Sequence, residues 1–118
     1  MIKGVGIDSI EISRFRERKD IDDFLKQILS ETECLNLRGN LKKDVMAAKV
    51  FTIKEAILKA LGCGLHSGSY WKDIELSKGF SPTLRGVIGR LAKSMSISSI
   101  HVAHGDSKLL SVAVVILE

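Results

Sequence analysis

Apolar positions recur along the chain at two spacings, one close to every second residue and one close to every third or fourth, and each spacing predicts its own elements. Residues 2 to 8, IKGVGID, alternate apolar residues with Gly or Lys and predict a short strand ending on the carboxylate of Asp8. Ile12 and Phe15 then fall at helical spacing, with Arg14, Arg16 and Arg18 on another face. In DIDDFLKQIL, residues 20 to 29, the stripe Ile21, Phe24, Leu25, Ile28, Leu29 behind an acidic start predicts a helix. Ser30 and Glu33 form an S-x-x-E capping box, so a new short helix is expected to about Leu37, closed by RGN.

From about Leu41 to Leu61 the chain lacks proline and glycine and is rich in Ala, Lys and Leu, which predicts one long helix ended by Gly62 and Gly64. At about 100° per residue, Val50, Ile53, Ile57, Ala60 and Leu61 share one side, and Thr52, Glu55 and Lys59 fall roughly opposite. WKDIELS and FSPTLRG read as strands, the proline suiting an edge or a strand start. VIGRLAKSM sets Val87, Ile88, Leu91 and Met95 on one helical face despite Gly89, which weakens a helix by about 1 kcal/mol relative to alanine. SSIHVAH and LLSVAVVILE predict a hairpin around GDSK, the closing run being apolar enough for a central strand. Strands and helices without regular alternation indicate an α+β fold.

Length changes that picture only by bounding it. At 118 residues the chain makes one compact domain, 1–118, with no repeat or linker to divide it. Hydrophobic residues at 45% against 27% charged suit a folded soluble protein. The net charge of +4 suits an acidic partner, an anionic ligand or nucleic acid. Cys34 and Cys63 lack the spacing of a zinc site and the density of a disulfide scaffold. The opening MIKGVGIDSIEISRF carries acids early and has no long apolar core, so neither a signal peptide nor a membrane span is expected, and the setting is read as cytoplasmic.

Candidate chemistry centres on the long helix. Glu55 and Lys59 form an i, i+4 pair in the favourable order, which on an exposed helix is worth only about 0.2–0.5 kcal/mol. Asp8, otherwise a candidate cap for the helix after it, would add a second carboxylate if the fold brought the first strand to this helix. Two hard oxygen ligands with positions left for water suit Mg²⁺, which substrate phosphates commonly complete. Lys59 would hold a phosphate as a point charge, and the amides of GCG would add neutral donors. That combination serves phosphoryl or phosphodiester transfer.

Taken together, GVGIDSIEISRF, SETE, FTIKEAILKALGCG, WKDIEL and the closing VAH…AVVILE stand in an order that resembles the holo-acyl-carrier-protein synthase family of 4′-phosphopantetheinyl transferases, over essentially the whole chain. The resemblance implies a small antiparallel sheet packed on a long central helix and shorter helices. It also implies Mg²⁺-dependent transfer of 4′-phosphopantetheine from coenzyme A to a serine of apo-acyl carrier protein, with release of adenosine 3′,5′-bisphosphate. Asp8 and Glu55 match the family's metal-binding, catalytic acids, and the base is Glu55 itself or a water held by Glu55 or by the metal. Lys59, Gly62 and Gly64 match positions that contact coenzyme A, with Lys54 as a basic neighbour of the nucleotide and His104 near its phosphates. Arg14 matches a contact to the acidic carrier protein, and the face it shares with Arg16 and Arg18 suits the same partner. Homotrimers with sites between subunits are implied, Asp8 of one working with Glu55 of its neighbour. Val50, Cys63 and the HVAH strand depart from the family's Arg, Thr and S-x-S-H. Those departures keep open a divergent, non-catalytic member. A small basic nucleic-acid-binding protein is the other alternative; aromatic residues at 5%, with no aromatic ladder, count against it.

Overall fold

The computed structural model describes residues 1–39, 41–62 and 68–118, with backbone alone for 68–70. The element order is β1 (Gly4–Glu11), α1 (Ser13–Arg16), α2 (Ile21–Ile28), α3 (Glu31–Leu37), α4 (Lys43–Ala60), a 3₁₀ helix (Gly68–Asp73), β2 (Ile74–Leu76), β3 (Pro82–Leu84), α5 (Gly86–Ser94), β4 (Ile100–Asp106) and β5 (Leu110–Leu117). This is an α+β fold. An antiparallel three-stranded sheet in the order β1-β5-β4 lies against α4, and β2 and β3 form a separate antiparallel pair.

The closing apolar run is the central strand. Its Ser111, Ala113, Val115 and Leu117 point inward while Leu110, Val112 and Val114 stay exposed, as period-2 alternation requires. β1 is longer than its sequence pattern predicts. Pairing with β5 continues to Glu11 opposite Leu110, so Asp8 sits mid-strand, opposite Ala113, and no side chain caps α1. The hairpin turn lies one step beyond its predicted place, because Gly105 and Asp106 still pair and Ser107 Oγ accepts from the amides of Leu109 and Leu110, both at 3.1 Å.

The capping box forms: Glu33 N–H donates to Ser30 Oγ at 3.2 Å and Ser30 N–H donates to Glu33 Oε1 at 2.9 Å. The predicted polar side of α4, in contrast, faces solvent only at Lys59. Thr52 and Glu55 are buried, because α4 is clamped between the sheet on one side and α1, α2 and their neighbours on the other. Thr52 Oγ1 donates to Ala48 O at 2.9 Å and lies 3.3 Å from Ser111 Oγ of β5.

Two glycines of β1 set how closely the sheet meets α4. A Cβ on Gly6 would stand 1.9 Å from Ala56 O, and one on Gly4 would stand 2.1 Å from Ala60 O. Only a residue without a side chain permits that approach. At its far end α4 stops at Gly62, whose φ of +73° is the left-handed geometry of a helix C′ glycine; its N–H donates to Lys59 O at 3.1 Å. Gly64 and Cys63 lie outside the described residues.

Candidate active site

Alternation along β1 puts Gly4, Gly6, Asp8 and Ile10 on the face toward α4, and the glycine contacts draw Asp8 down beside the last turns of that helix. Lys59 Nζ donates to Asp8 Oδ1 at 2.7 Å and to the Ile7 carbonyl at 3.3 Å. Lys59 therefore bonds across to β1 rather than to Glu55 four residues earlier. About half of its side chain remains exposed, and two of the three ammonium protons are used.

Glu55 is 3% exposed, and its Oε1 is buried with no hydrogen-bond partner among the described residues. The same is true of Asp8 Oδ2. Burial raises the proton affinity of Glu55 above the ordinary carboxylate range, the negative charge of Asp8 raises it further, and Lys59 opposes both. Two inward carboxylates, each with an orphaned oxygen, are costly unless something positive completes them. Hard oxygen ligands of this kind fit Mg²⁺, which demands few protein ligands and keeps waters. Among the described residues no cluster of three or more His, Cys, Asp or Glu gathers as a softer or fuller cage. The pair is assembled within one chain, so the expectation that Asp8 meets a neighbouring subunit's Glu55 is corrected by the β1–α4 contact.

His104 stands in register with the same row. Asp8 and His104 both pair with Ala113, one from each side of β5, so both face α4 about 10 Å apart across two strand spacings. The His104 ring lies 5.1 Å from that of Phe80, and burial followed by the charge of Lys49 lowers its proton affinity, which Asp106 partly restores. Lys49 is ion-paired with Asp106 and sits 5.6 Å from the Phe80 ring centre. Phe80, at φ 64°, occupies the left-handed region where bulky residues are rare. Phe80 and His104 line a cleft of about 360 Å³ between the β2–β3 pair and β4. Nothing in the sequence pattern points to Phe80, Lys49 and Asp106 as neighbours of His104.

Lys54, matched by resemblance to a basic neighbour of the nucleotide, points into the interior. Its side chain is fully buried and all three donors are used, on Ile28 O, on Trp71 O at 2.9 Å and on Glu33 Oε1 at 3.0 Å. Burial lowers its proton affinity and Glu33 offsets part of that. The basic face of α1 is likewise narrower than expected: Arg16 is paired with Asp44 at 3.0 Å, and Arg18 is paired with Asp20 while lying 4.2 Å over the Phe24 ring. Arg14 is exposed and, with Arg18, rims a small cleft of about 180 Å³ floored by Phe15, Phe24 and Phe51.

A sequence model of the 4′-phosphopantetheinyl transferase superfamily matches residues 4–113. The holo-[acyl-carrier-protein] synthase of Vibrio campbellii is 36% identical over 123 residues, 99% of this chain and 98% of that protein. The corresponding synthase of Buchnera aphidicola is 36% identical over 126 residues, covering 99% and 98%. Among solved structures, the Neisseria meningitidis synthase superposes with a TM-score of 0.81 at 26% identity, covering 100% of this chain and 99% of that one. The Bacillus anthracis synthase, solved in complex with coenzyme A (3′,5′-ADP), gives a TM-score of 0.73 at 32% identity, covering 99% and 96%. With its strand carboxylate set against a K-E-A helix and full-length kinship on both counts, this chain belongs to the holo-[acyl-carrier-protein] synthase family of the 4′-phosphopantetheinyl transferase superfamily.

Proposed function

We propose that this chain transfers 4′-phosphopantetheine from coenzyme A to a serine of an apo-acyl carrier protein and releases adenosine 3′,5′-bisphosphate. The observation that carries the reading is the pair of buried, unpartnered carboxylate oxygens, Asp8 Oδ2 and Glu55 Oε1, beside a half-exposed lysine. Asp8 and Glu55 would hold Mg²⁺, which when bound supplies charge neutralisation for the pyrophosphate of coenzyme A. The serine oxygen forms a bond to the phosphorus that bears the pantetheine, and the bond from that phosphorus to the bridging oxygen breaks. Glu55, whose proton affinity is raised by burial and by Asp8, takes the serine proton directly or through a water. Lys59 is held by Asp8 and Ile7 O, with one donor unused among the described residues, and it meets the charge developing on the departing nucleotide. Gly62 turns the chain away at the end of α4, and His104 faces the same side of the sheet from two strands away.

Arg14 and the phenylalanine-floored cleft beside it are suited to a partner that presents acidic and apolar side chains together, as the carrier protein would. The outer face of the sheet exposes Val5, Ile7, Val112 and Val114 in adjacent rows, a surface that favours burial against further copies in a homotrimer. Among the described residues no helix is long and apolar enough to cross a membrane; we place the reaction in the cytoplasm as part of this proposal. The test is the mass of apo-acyl carrier protein after incubation with the chain, coenzyme A and Mg²⁺. A phosphopantetheine adduct is expected, and its absence with every divalent metal would overturn the proposal.

A further inference from the structure

Lys54 and Glu33 have fully buried side chains, and Lys54 points about 100° round α4 from its neighbour Glu55. Their hydrogen bonds reach α2 through Ile28 O, the 3₁₀ helix through Trp71 O, the start of α3 through Ser30 N–H, and β2 through Leu76 N–H, which donates to Glu33 Oε2 at 2.9 Å. Four elements are thereby tied to one point on α4. The Glu33 carboxylate is used three times: in its own capping box, as acceptor of the Leu76 N–H, and as the counter-charge of a lysine 21 residues away.

Apolar packing does little to fix how α4 is rolled about its axis. Met46, Ala47, Ala48 and Ala56 are all buried, although at about 100° per residue they point to four different sides of the helix. A helix that is buried all round has no single apolar stripe to choose its orientation. Buried charges do choose, because a roll that removes Lys54 from its three acceptors leaves an ammonium and a carboxylate stranded in the interior. The roll that satisfies Lys54 also turns the next residue, Glu55, and after it Lys59, toward Asp8.

We infer that the Lys54–Glu33 pair is the orientation lock of α4, and that Lys54 is a positioning residue for the transferase site, acting through Glu55, the next residue round the helix. This rests on the transferase reading, but its test has a readout independent of transfer. The full-length double variant Lys54→Met with Glu33→Gln removes the charge from both sides, so the interior holds no unpaired ion. It is expected to unfold cooperatively, yet to need at least tenfold more Mg²⁺ for half-maximal transfer, with kcat reduced at least tenfold. The rise in melting temperature that MgCl₂ alone gives the parent should be lost. Ile28→Val, a core change beside the network, should lower the melting temperature and leave the half-saturating Mg²⁺ concentration unchanged. A double variant that folds and keeps the parent's Mg²⁺ response and kcat overturns the inference. Should that double variant fail to fold, Lys54→Gln with Glu33→Gln, which keeps two of the three donors and leaves no unpaired charge in the interior, is judged by the same two readouts. A parent that shows the Mg²⁺ shift but no transfer refutes the proposed reaction while leaving the lock open to the thermal measurement.

Discussion

Glu55 should make the metal-free protein less stable at neutral pH, and Glu55→Gln should therefore stabilise the fold while abolishing transfer. The carboxylate is 3% exposed, its Oε1 has no partner, and the adjoining Asp8 has its own orphaned oxygen. A buried acceptor left unsatisfied costs about 1–3 kcal/mol. Glutamine removes the charge and brings an N–H₂ that can donate to Asp8 Oδ2. For a domain of 118 residues, a gain of that size raises the melting temperature by roughly 4–12 °C, at about 4 °C per kcal/mol. The pH dependence has a definite sign. The proton affinity of folded Glu55 is raised, so its contribution to stability is fully present below the unfolded value of 4.5 and is lost as pH rises through the higher folded value. The advantage of Gln should thus be small at pH near 4 and grow toward pH 8. Thermal melts by circular dichroism across that range, in chelator, measure it. Added Mg²⁺ should raise the melting temperature of the parent and leave the variant unmoved. A variant no more stable than the parent at pH 8, or a difference indifferent to pH, refutes the reasoning.

Gly6→Ala should lower stability by about 1–3 kcal/mol or more, since its Cβ would meet the backbone carbonyl of Ala56 at 1.9 Å, and displaced β1 should cost transfer as well; denaturant titration and initial rates check both. Lys59→Met should reduce kcat/KM about 10²-fold, by analogy with loss of one charge-stabilising donor, with Lys59→Arg retaining part of the rate in steady-state assays. Arg14→Glu should raise KM for the carrier protein roughly fivefold, corresponding to about 1 kcal/mol, and leave KM for coenzyme A unchanged. Arg16→Glu, whose parent side chain is already paired with Asp44, should have a smaller effect on KM for the carrier protein and cost some stability.

Local signals in the sequence carried the elements well. The stripe of α2, the Ser30–Glu33 box and the proline- and glycine-free run of α4 each follow from short-range physics, and each is present with nearly its predicted bounds. The apolar character of LLSVAVVILE likewise foretold a central strand. What the pattern could not supply is partner choice across the chain. Lys59 has Glu55 four residues away, yet it bonds to Asp8, 51 positions distant, because two glycines bring β1 onto the helix. Lys54 is expected beside the nucleotide from the family resemblance, and only the position of Glu33 in the fold explains its burial. Period 3.6 separates two faces of a helix but does not tell which faces are covered when both are. The departure at Val50 has a structural place: Val50 is fully buried in the core, while its neighbour Lys49 is held by Asp106 beside Phe80 and His104.

The most direct test of the paired carboxylates as the centre of the chemistry is mass spectrometry of apo-acyl carrier protein incubated with coenzyme A and Mg²⁺ and either the parent, Asp8→Asn or Glu55→Gln. The parent should convert the carrier to its phosphopantetheine adduct with one adenosine 3′,5′-bisphosphate released per adduct, and both variants should leave it unmodified over the same time. An unmodified carrier with the parent, or full conversion by either variant, would contradict the account.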